Sequence, residues 1–255
     1  MLIEEHLSRI QPEAVKAQAK FPKIFIDDIA KLTAAKRMAW SGILSSIATA
    51  ESMEEKVLRP MVGAFSFSSV ASAYMNVHIA DEHRHADALK EFNLKIFKHV
   101  KTKKTLTDKV IYEFLFGNIE RLILKRPIPF LAGLYFYELF SEKLYVQIKA
   151  AAKRDGLNSL AELVTAIEKD EFRHRAAVKI LFSLWRKSRT TDRWDLVLTR
   201  IFLSIVRTDV NTSKFAIYNK QLRTNMLTLG IDAGQLWAQS GVAARKAYEQ
   251  VSELI

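Results

Sequence analysis

Residues 81–85 read DEHRH, and residues 170–174 read DEFRH. The chain has six histidines, and two of them close the same Asp-Glu-x-Arg-His frame. Residues three apart share a face of an α-helix. Glu82 and His85 therefore point to one spot, and so do Glu171 and His174. A carboxylate oxygen and an imidazole nitrogen together suit a transition metal. One such pair on a solvated helix is unremarkable, but the full frame, repeated, makes a two-part metal site the leading expectation.

The frame supplies more than ligands. Asp81 and Asp170 directly precede the glutamates. In a four-helix site, an Asp so placed takes the proton on the far ring nitrogen of the opposite hairpin's histidine, which fixes the tautomer. Arg84 and Arg173 then keep each Asp from being a lone buried charge. The bland reading of these pairs is a surface ion pair of small worth.

Apolar residues recur at helical spacing along most of the chain. The pattern predicts an all-α fold with helices near 3–19, 26–58, 70–98, 106–125, 130–153, 158–187, 191–227 and 233–253. The first long helix is expected to end close to Pro60. GAFSFSS (63–69) and RDG (154–156) read as turns. Two hairpins stand out, 26–98 and 130–187, each with its Glu-x-x-His in the second arm. No composition break divides the chain, so residues 1–255 read as a single helical domain.

A two-metal carboxylate site in a four-helix bundle takes one further Glu from each of the other two helices. Antiparallel arms come level when the turn lies midway between the residues. The midpoint between Glu51 and Glu82 falls in GAFSFSS, and that between Glu138 and Glu171 falls in RDG. Glu51 shares a stripe with Leu44, Ile47, Ala48 and Leu58, and Glu138 sits in the apolar LYFYELF (134–140), where an unbound carboxylate is costly. Glu54 or Glu55 remains an alternative to Glu51, and Glu142 an alternative to Glu138. Four carboxylates against two divalent ions make a neutral core. Six N/O ligands without thiolate disfavour structural zinc and favour iron or manganese.

These residues carry a resemblance. A Glu, a Glu-x-x-His, a Glu and a second Glu-x-x-His on four helices resemble the ferritin-like di-iron carboxylate superfamily. The frames DEHRHADAL and DEFRHRAAV are similar to those of its oxygen-activating members, especially acyl-carrier-protein desaturases and bacterial multicomponent monooxygenase hydroxylases. The resemblance covers roughly 45–185. It implies a ferritin-like four-helix bundle with additional N- and C-terminal helices, and two iron ions, with manganese as an option. The implied activity is hydroxylation, desaturation or N-oxygenation of a small organic or carrier-bound substrate with O2. Carried over by position, Glu51, Glu82 and His85 would bind one metal, and Glu138, Glu171 and His174 the other, with one or two glutamates bridging.

There are departures. Leu89 stands where the ribonucleotide reductase small subunit has a radical tyrosine. Stand-alone arylamine N-oxygenases have a third histidine four residues before the second motif's Glu; here that residue is Ile167. His78, four before Glu82, occupies the equivalent place in the other hairpin, as an extra ligand or as a supporting donor. Tyr135 is a candidate to bond a ligand carboxylate, and Tyr74 lies on the stripe of His78. His6, His83 and His99 read as surface histidines. VRTDVNTS (206–213) is polar within an apolar pattern, facing either the site or water.

The remaining composition limits other functions. The absence of cysteine removes disulfides, thiolate sites and cysteine nucleophiles. No apolar run of membrane-spanning length and no signal core is visible, so a cytoplasmic enzyme or binding protein is the default. The net charge of +11 is concentrated at 95–104, 124–127 and 185–193. These stretches are either solvated helix ends or a docking face for an acidic carrier or redox protein. No nucleic-acid motif is present. The pattern leaves room for a homodimer. The competing functions are an iron-handling or peroxide-reducing protein like ferritins and rubrerythrins, and a helical binding protein whose motifs are ion pairs.

Overall fold

The computed structural model of the chain describes residues 4–10, 29–97, 119–211 and 220–254. The described residues are helical with no strand, an all-α ferritin-like bundle. Residues 4–10 are helical, and Ile29–Lys31 form a 3-10 turn. Eight further helices follow: α1 (Ala34–Ala64), α2 (Ser69–Phe97), α3 (Ile119–Lys125), α4 (Ile128–Arg154), α5 (Asn158–Ser188), α6 (Arg193–Asp209), α7 (Lys220–Thr228) and α8 (Ala233–Ser252).

Local chemistry explains the helix ends. Thr33 caps α1 by accepting from the Lys36 amide at 3.2 Å, so the helix begins later than the pattern suggested. It also runs past Pro60, which lies inside its last turns. Proline costs an internal amide bond, but one more turn forms, and the Phe65 amide donates to the Met61 carbonyl at 2.9 Å. At the α4–α5 turn, Gly156 has a φ of 73°. The Leu157 amide closes back on the Ala152 carbonyl at 2.8 Å, the left-handed helix ending that glycine favours.

The expected helix over 191–227 is divided. α6 stops at Asp209, and α7 starts at Lys220. The first part of the polar stretch 206–213 falls at that ending, where Arg207 stacks on the Trp237 ring and Asp209 accepts from the Tyr137 hydroxyl at 3.1 Å, and its last two residues lie outside the described residues. Most of the expected 3–19 and 106–125 helices, and His99, lie outside the described residues.

The α1–α2 hairpin packs against the α4–α5 hairpin, with direct contact between α2 and α5. α6 and α8 cover α4, and α3 and α7 lie on α1. The core is continuous from Trp40, Ile43 and Leu44 on α1 through Tyr74 and Met75 on α2 to Phe136, Ile148 and Leu181. Asp155 ties one hairpin's turn to the other's start, accepting from Trp40 Nε1 at 2.9 Å and Lys36 Nζ at 2.5 Å. Burial of the four inner faces leaves a polar stripe at their centre, formed by the two repeated frames.

Candidate metal centre

Each inner helix brings its candidate to one place. Glu51 on α1, His78, Glu82 and His85 on α2, Glu138 on α4, and Glu171 and His174 on α5 are all buried. Their ligand atoms form two groups among the described residues: Glu51, Glu82, His85 and Glu171, and His78, Glu82, Glu138 and His174. Glu82 belongs to both. In the first group, His85 Nδ1 lies 3.1 Å from Glu51, 3.4 Å from Glu171 and 3.6 Å from Glu82. In the second, Glu82 Oε1 is 3.0 Å from both His174 Nδ1 and His78 Nε2. Glu138 is 3.2 Å from His78 and 3.8 Å from His174.

Without ions the atoms group differently from the assignment carried over by position, in which one or two glutamates are expected to bridge. Glu171 sits with His85, not with the histidine of its own helix, and His174 sits with Glu82 and Glu138. Three residues of helix also mean about 4.5 Å of axial travel. That offset sets each motif's Glu level with the opposite hairpin's His. His78 stands in the ligand group itself. It is one helical turn before Glu82, and its ring stacks on His174 with centroids 3.7 Å apart.

The surroundings orient these atoms. His85 Nε2 is 3.0 Å from Asp170, and His174 Nε2 is 3.2 Å from Asp81. Each pair crosses between hairpins. With Nε2 donating its proton to the Asp, Nδ1 is left as the ligating nitrogen. Arg84 bridges Asp81 at 2.8 Å and Asp170 at 2.6 Å, and Arg173 likewise contacts both. Two side chains were not signalled by the motifs. The Tyr145 hydroxyl donates to Glu51 Oε1, and Ser141 Oγ donates to Glu171 Oε2 at 2.8 Å. Both follow Glu138 on α4 at helical spacing, three and seven residues on, which is the signal that could have found them.

The other candidates fall outside the two ligand groups, although Glu54 and Tyr74 border them. Glu55 pairs with Arg59 and with the exposed His83, and Glu142 pairs with Lys143 and Arg175. Glu54 Oε2 lies 4.0 Å from His78 Nε2. Tyr135 packs its ring edge on Phe182 and beneath Lys179. Its helix position turns it toward α5 rather than toward a site carboxylate. Tyr74 meets the His78 ring edge-on, and its hydroxyl is buried without a hydrogen-bond partner. His6 is exposed.

The protonation pattern follows from the burial. Burial raises the Glu51 carboxyl well above the ordinary range, with Glu82 and Glu171 adding to it. Glu138 is raised likewise by burial, Glu171, Glu54 and Glu82. Burial also pushes Glu82 up, but His174, His78 and His85 outweigh it and hold the carboxyl well below its usual value. Burial opposes charge on His174, yet Asp81 and Glu82 raise it to about 9. His85 is raised by Asp170, Glu171, Glu51 and Glu82 against the same opposition. His78 is lowered, by burial and by His174. The groups take protons where ions would otherwise supply positive charge.

The residues present fit two metal ions. Both oxygens of Glu138, Glu82 Oε1, Glu171 Oε1, His174 Nδ1 and both His78 nitrogens are buried with no hydrogen bond. Buried polar atoms are normally partnered. Here they converge on two points with nitrogen and oxygen donors, which is the donor chemistry of iron and manganese.

No family model matches the sequence, and no curated protein matches it. Solved structures do match. One is an R2-like ligand-binding oxidase with aerobically reconstituted metal cofactor after photoconversion. Its TM-score is 0.73 at 15% identity, over 96% of this chain and 92% of that chain. Another is an R2-like ligand-binding oxidase with aerobically reconstituted Mn/Fe cofactor, at a TM-score of 0.70 and 16% identity over the same shares. The likeness establishes the fold. Among the described residues no helix is long and apolar enough to cross a membrane.

Proposed function

We propose that the chain is an O2-dependent dimetal oxidase that acts on an organic substrate. The observation that carries this is the pair of buried ligand groups joined through Glu82. The similar structures bear Mn/Fe cofactors, and the donor set here suits a di-iron or manganese–iron pair. Reduced ions in these positions would supply the electrons that O2 requires.

The chain's own groups do the rest. Asp81 and Asp170 hold the Nε2 protons of His174 and His85, and thereby aim Nδ1 at the centre. Arg84 and Arg173 balance the two aspartates. Tyr145 and Ser141 fix Glu51 and Glu171. Burial of Glu82, His85 and Glu138, none more than 1% exposed, keeps bulk water away from the reacting place. In a hydroxylation, one oxygen atom of O2 enters a C–H bond and the other leaves as water, with two electrons and two protons from a donor. A desaturation takes two hydrogens from the substrate and two electrons and two protons from the donor, and both oxygen atoms leave as water. The net charge of +11 favours an acidic redox protein as that donor.

Metal analysis after anaerobic loading with iron, or iron plus manganese, tests the reading. Two ions per chain and uptake of O2 by the reduced protein are expected. Uptake of many irons per chain would point to storage instead. No bound metal, with Glu171→Ala unchanged in every spectrum, would overturn both.

A further inference from the structure

α6 carries apolar residues on two faces. On its inner face Thr199, Leu203 and Val206 are buried, where the helix packs on α4 and α8. Trp194, Val197 and Ile201 follow one another at helical spacing on the outer face, and they are 66%, 44% and 52% exposed. Leu198 and Ile205 border the same stripe and are half-buried. A helix that is apolar over most of its circumference is normally covered over most of it. Here the outer stripe stays open for about 16 Å, the helical rise from Trp194 to Ile205, and no charged residue interrupts it. Single exposed apolar residues are ordinary, but a continuous stripe marks a contact surface.

Cations edge the stripe. Arg193 and Arg200 lie two helical turns apart along one side and are exposed, and Arg200 stacks over the Tyr248 ring of α8 at 4.8 Å. Arg186, Lys187 and Arg189, just before the helix, are exposed as well. The two acids at the start of α6 are engaged. Asp192 and Asp195 form its capping box, and both pair with Arg126, at 2.7 and 3.1 Å. Arg126 follows directly on α3, so that pairing anchors a second apolar and basic segment at this end of α6. On α3, Leu122 and Leu124 are exposed, as are Arg121 and Lys125, with Glu120 as the helix's one acid.

The chemistry of this face selects its partner. It offers apolar contact and positive charge and little else: its one hydroxyl, Ser204, is turned back onto the Arg200 carbonyl at 2.8 Å. No side chain on the stripe is placed to read the polar groups of a peptide. A second copy docked here by a twofold axis would bring both sets of arginines to one seam, without an acid on the stripe to receive them. A lipid surface with anionic headgroups needs only what the face has. Apolar side chains enter the acyl boundary, an indole sits at headgroup depth, and arginines reach phosphates. We propose that the outer face of α6 docks the protein on an anionic membrane surface, without crossing it. The inference stands apart from the dimetal reading, since none of these residues belongs to a ligand group.

The test is flotation of the full chain with vesicles, made either of phosphatidylcholine alone or of phosphatidylcholine mixed with phosphatidylserine. At low salt the protein should float with the mixed vesicles and bind phosphatidylcholine alone at least about tenfold more weakly, and added salt should release it. Arg193→Gln combined with Arg200→Gln should weaken binding about 25-fold, roughly fivefold for each charge. Ile201→Glu should weaken it by at least about tenfold, and Val197→Glu repeats that arm should Ile201→Glu not fold. Leu94→Glu, at an exposed leucine of α2, should leave binding unchanged. Brominated lipid should quench the emission of wild-type protein, and Trp194→Phe should remove most of that quenching. No flotation with mixed vesicles at low salt, equal binding to both vesicle types, or binding untouched by the arginine pair or by the glutamate variants would overturn the proposal. A dimer in sedimentation equilibrium that Ile201→Glu dissociates, in protein that ignores vesicles, would also overturn it and assign the face to a second copy.

Discussion

The two halves of the centre grow from a repeated sequence frame, yet their surroundings differ. In the half around His85, each glutamate has a hydroxyl or imidazole partner: Glu51 takes Tyr145 and His85, and Glu171 takes Ser141. In the half around His174, both oxygens of Glu138 lack a hydrogen bond. A second imidazole, His78, stacks on the first, and Glu54 stands behind it. The first half has most of its carboxylate oxygens held without an ion, Glu171 Oε1 excepted, whereas the second leaves both oxygens of Glu138 and the ring nitrogens of His78 unsatisfied. Duplication of a motif therefore sets where ligands converge, while the unrepeated residues between motifs decide what each half does.

Removing the shared group is the strongest challenge to this comparison. Glu82→Ala takes a ligand from both halves, and bound metal should fall from two ions per chain to near zero in elemental analysis. His78→Ala touches the His174 half only. It should lower affinity there by about 100-fold or more, leaving one tightly held ion in the His85 half. Equal loss from both halves in His78→Ala would break the comparison, because it would make the halves one indivisible unit.

A pH titration comes next in size. His174, raised to about 9, faces Asp81, Glu82 and His78 from α2, Glu138 from α4, and Glu171 and Arg173 from its own helix. Below that value the metal-free ring carries a proton that an ion must displace, so affinity should climb with pH and level off near pH 9. The sign for stability is opposite. A raised histidine pKa contributes stability that is complete below the ordinary histidine value of 6.5 and is lost as pH rises through about 9. Metal-loaded protein has already given up that proton. The gap in Tm between loaded and metal-free protein should thus widen between pH 6.5 and 9. A constant gap, or no proton release in calorimetry with two buffers, would contradict the assignment.

Much of this architecture is legible in the sequence, for reasons tied to particular residues. Helical periodicity and scarce glycine and proline signal the all-α fold. The repeated frame marks Glu82, His85, Glu171 and His174, and the hairpin midpoints reach Glu51 and Glu138, because a turn fixes which residues of two arms come level. Spacing reports a helix face but not depth along the axis, so it does not tell which ligand atoms of Glu171 and His174 lie together. It does not show that the axial place of His78 lies among the ligands. Tyr145 and Ser141 carry no motif, since a hydroxyl one or two turns from a ligand is common in any core. Pro60 and the break after Asp209 depend on capping and on contacts with Trp237 and Tyr137, which local pattern does not contain.

The smallest expected effect isolates the contribution of that unmarked hydroxyl. Tyr145→Phe keeps the ring in the core and deletes the donor to Glu51 Oε1. Both metals should remain, because no ligand is lost. The ion in the His85 half should be held about tenfold less tightly, the lower end for removing a group that orients a ligand. In metal-free protein the same change strands a buried carboxyl oxygen and should cost about 1 kcal/mol in denaturant unfolding. The His174 half has no hydroxyl on Glu138, so its ion should be unaffected. If Tyr145→Phe weakened both ions alike, the hydroxyl would be acting on the bundle as a whole, and the contrast between a pre-held half and an ion-dependent half would fail.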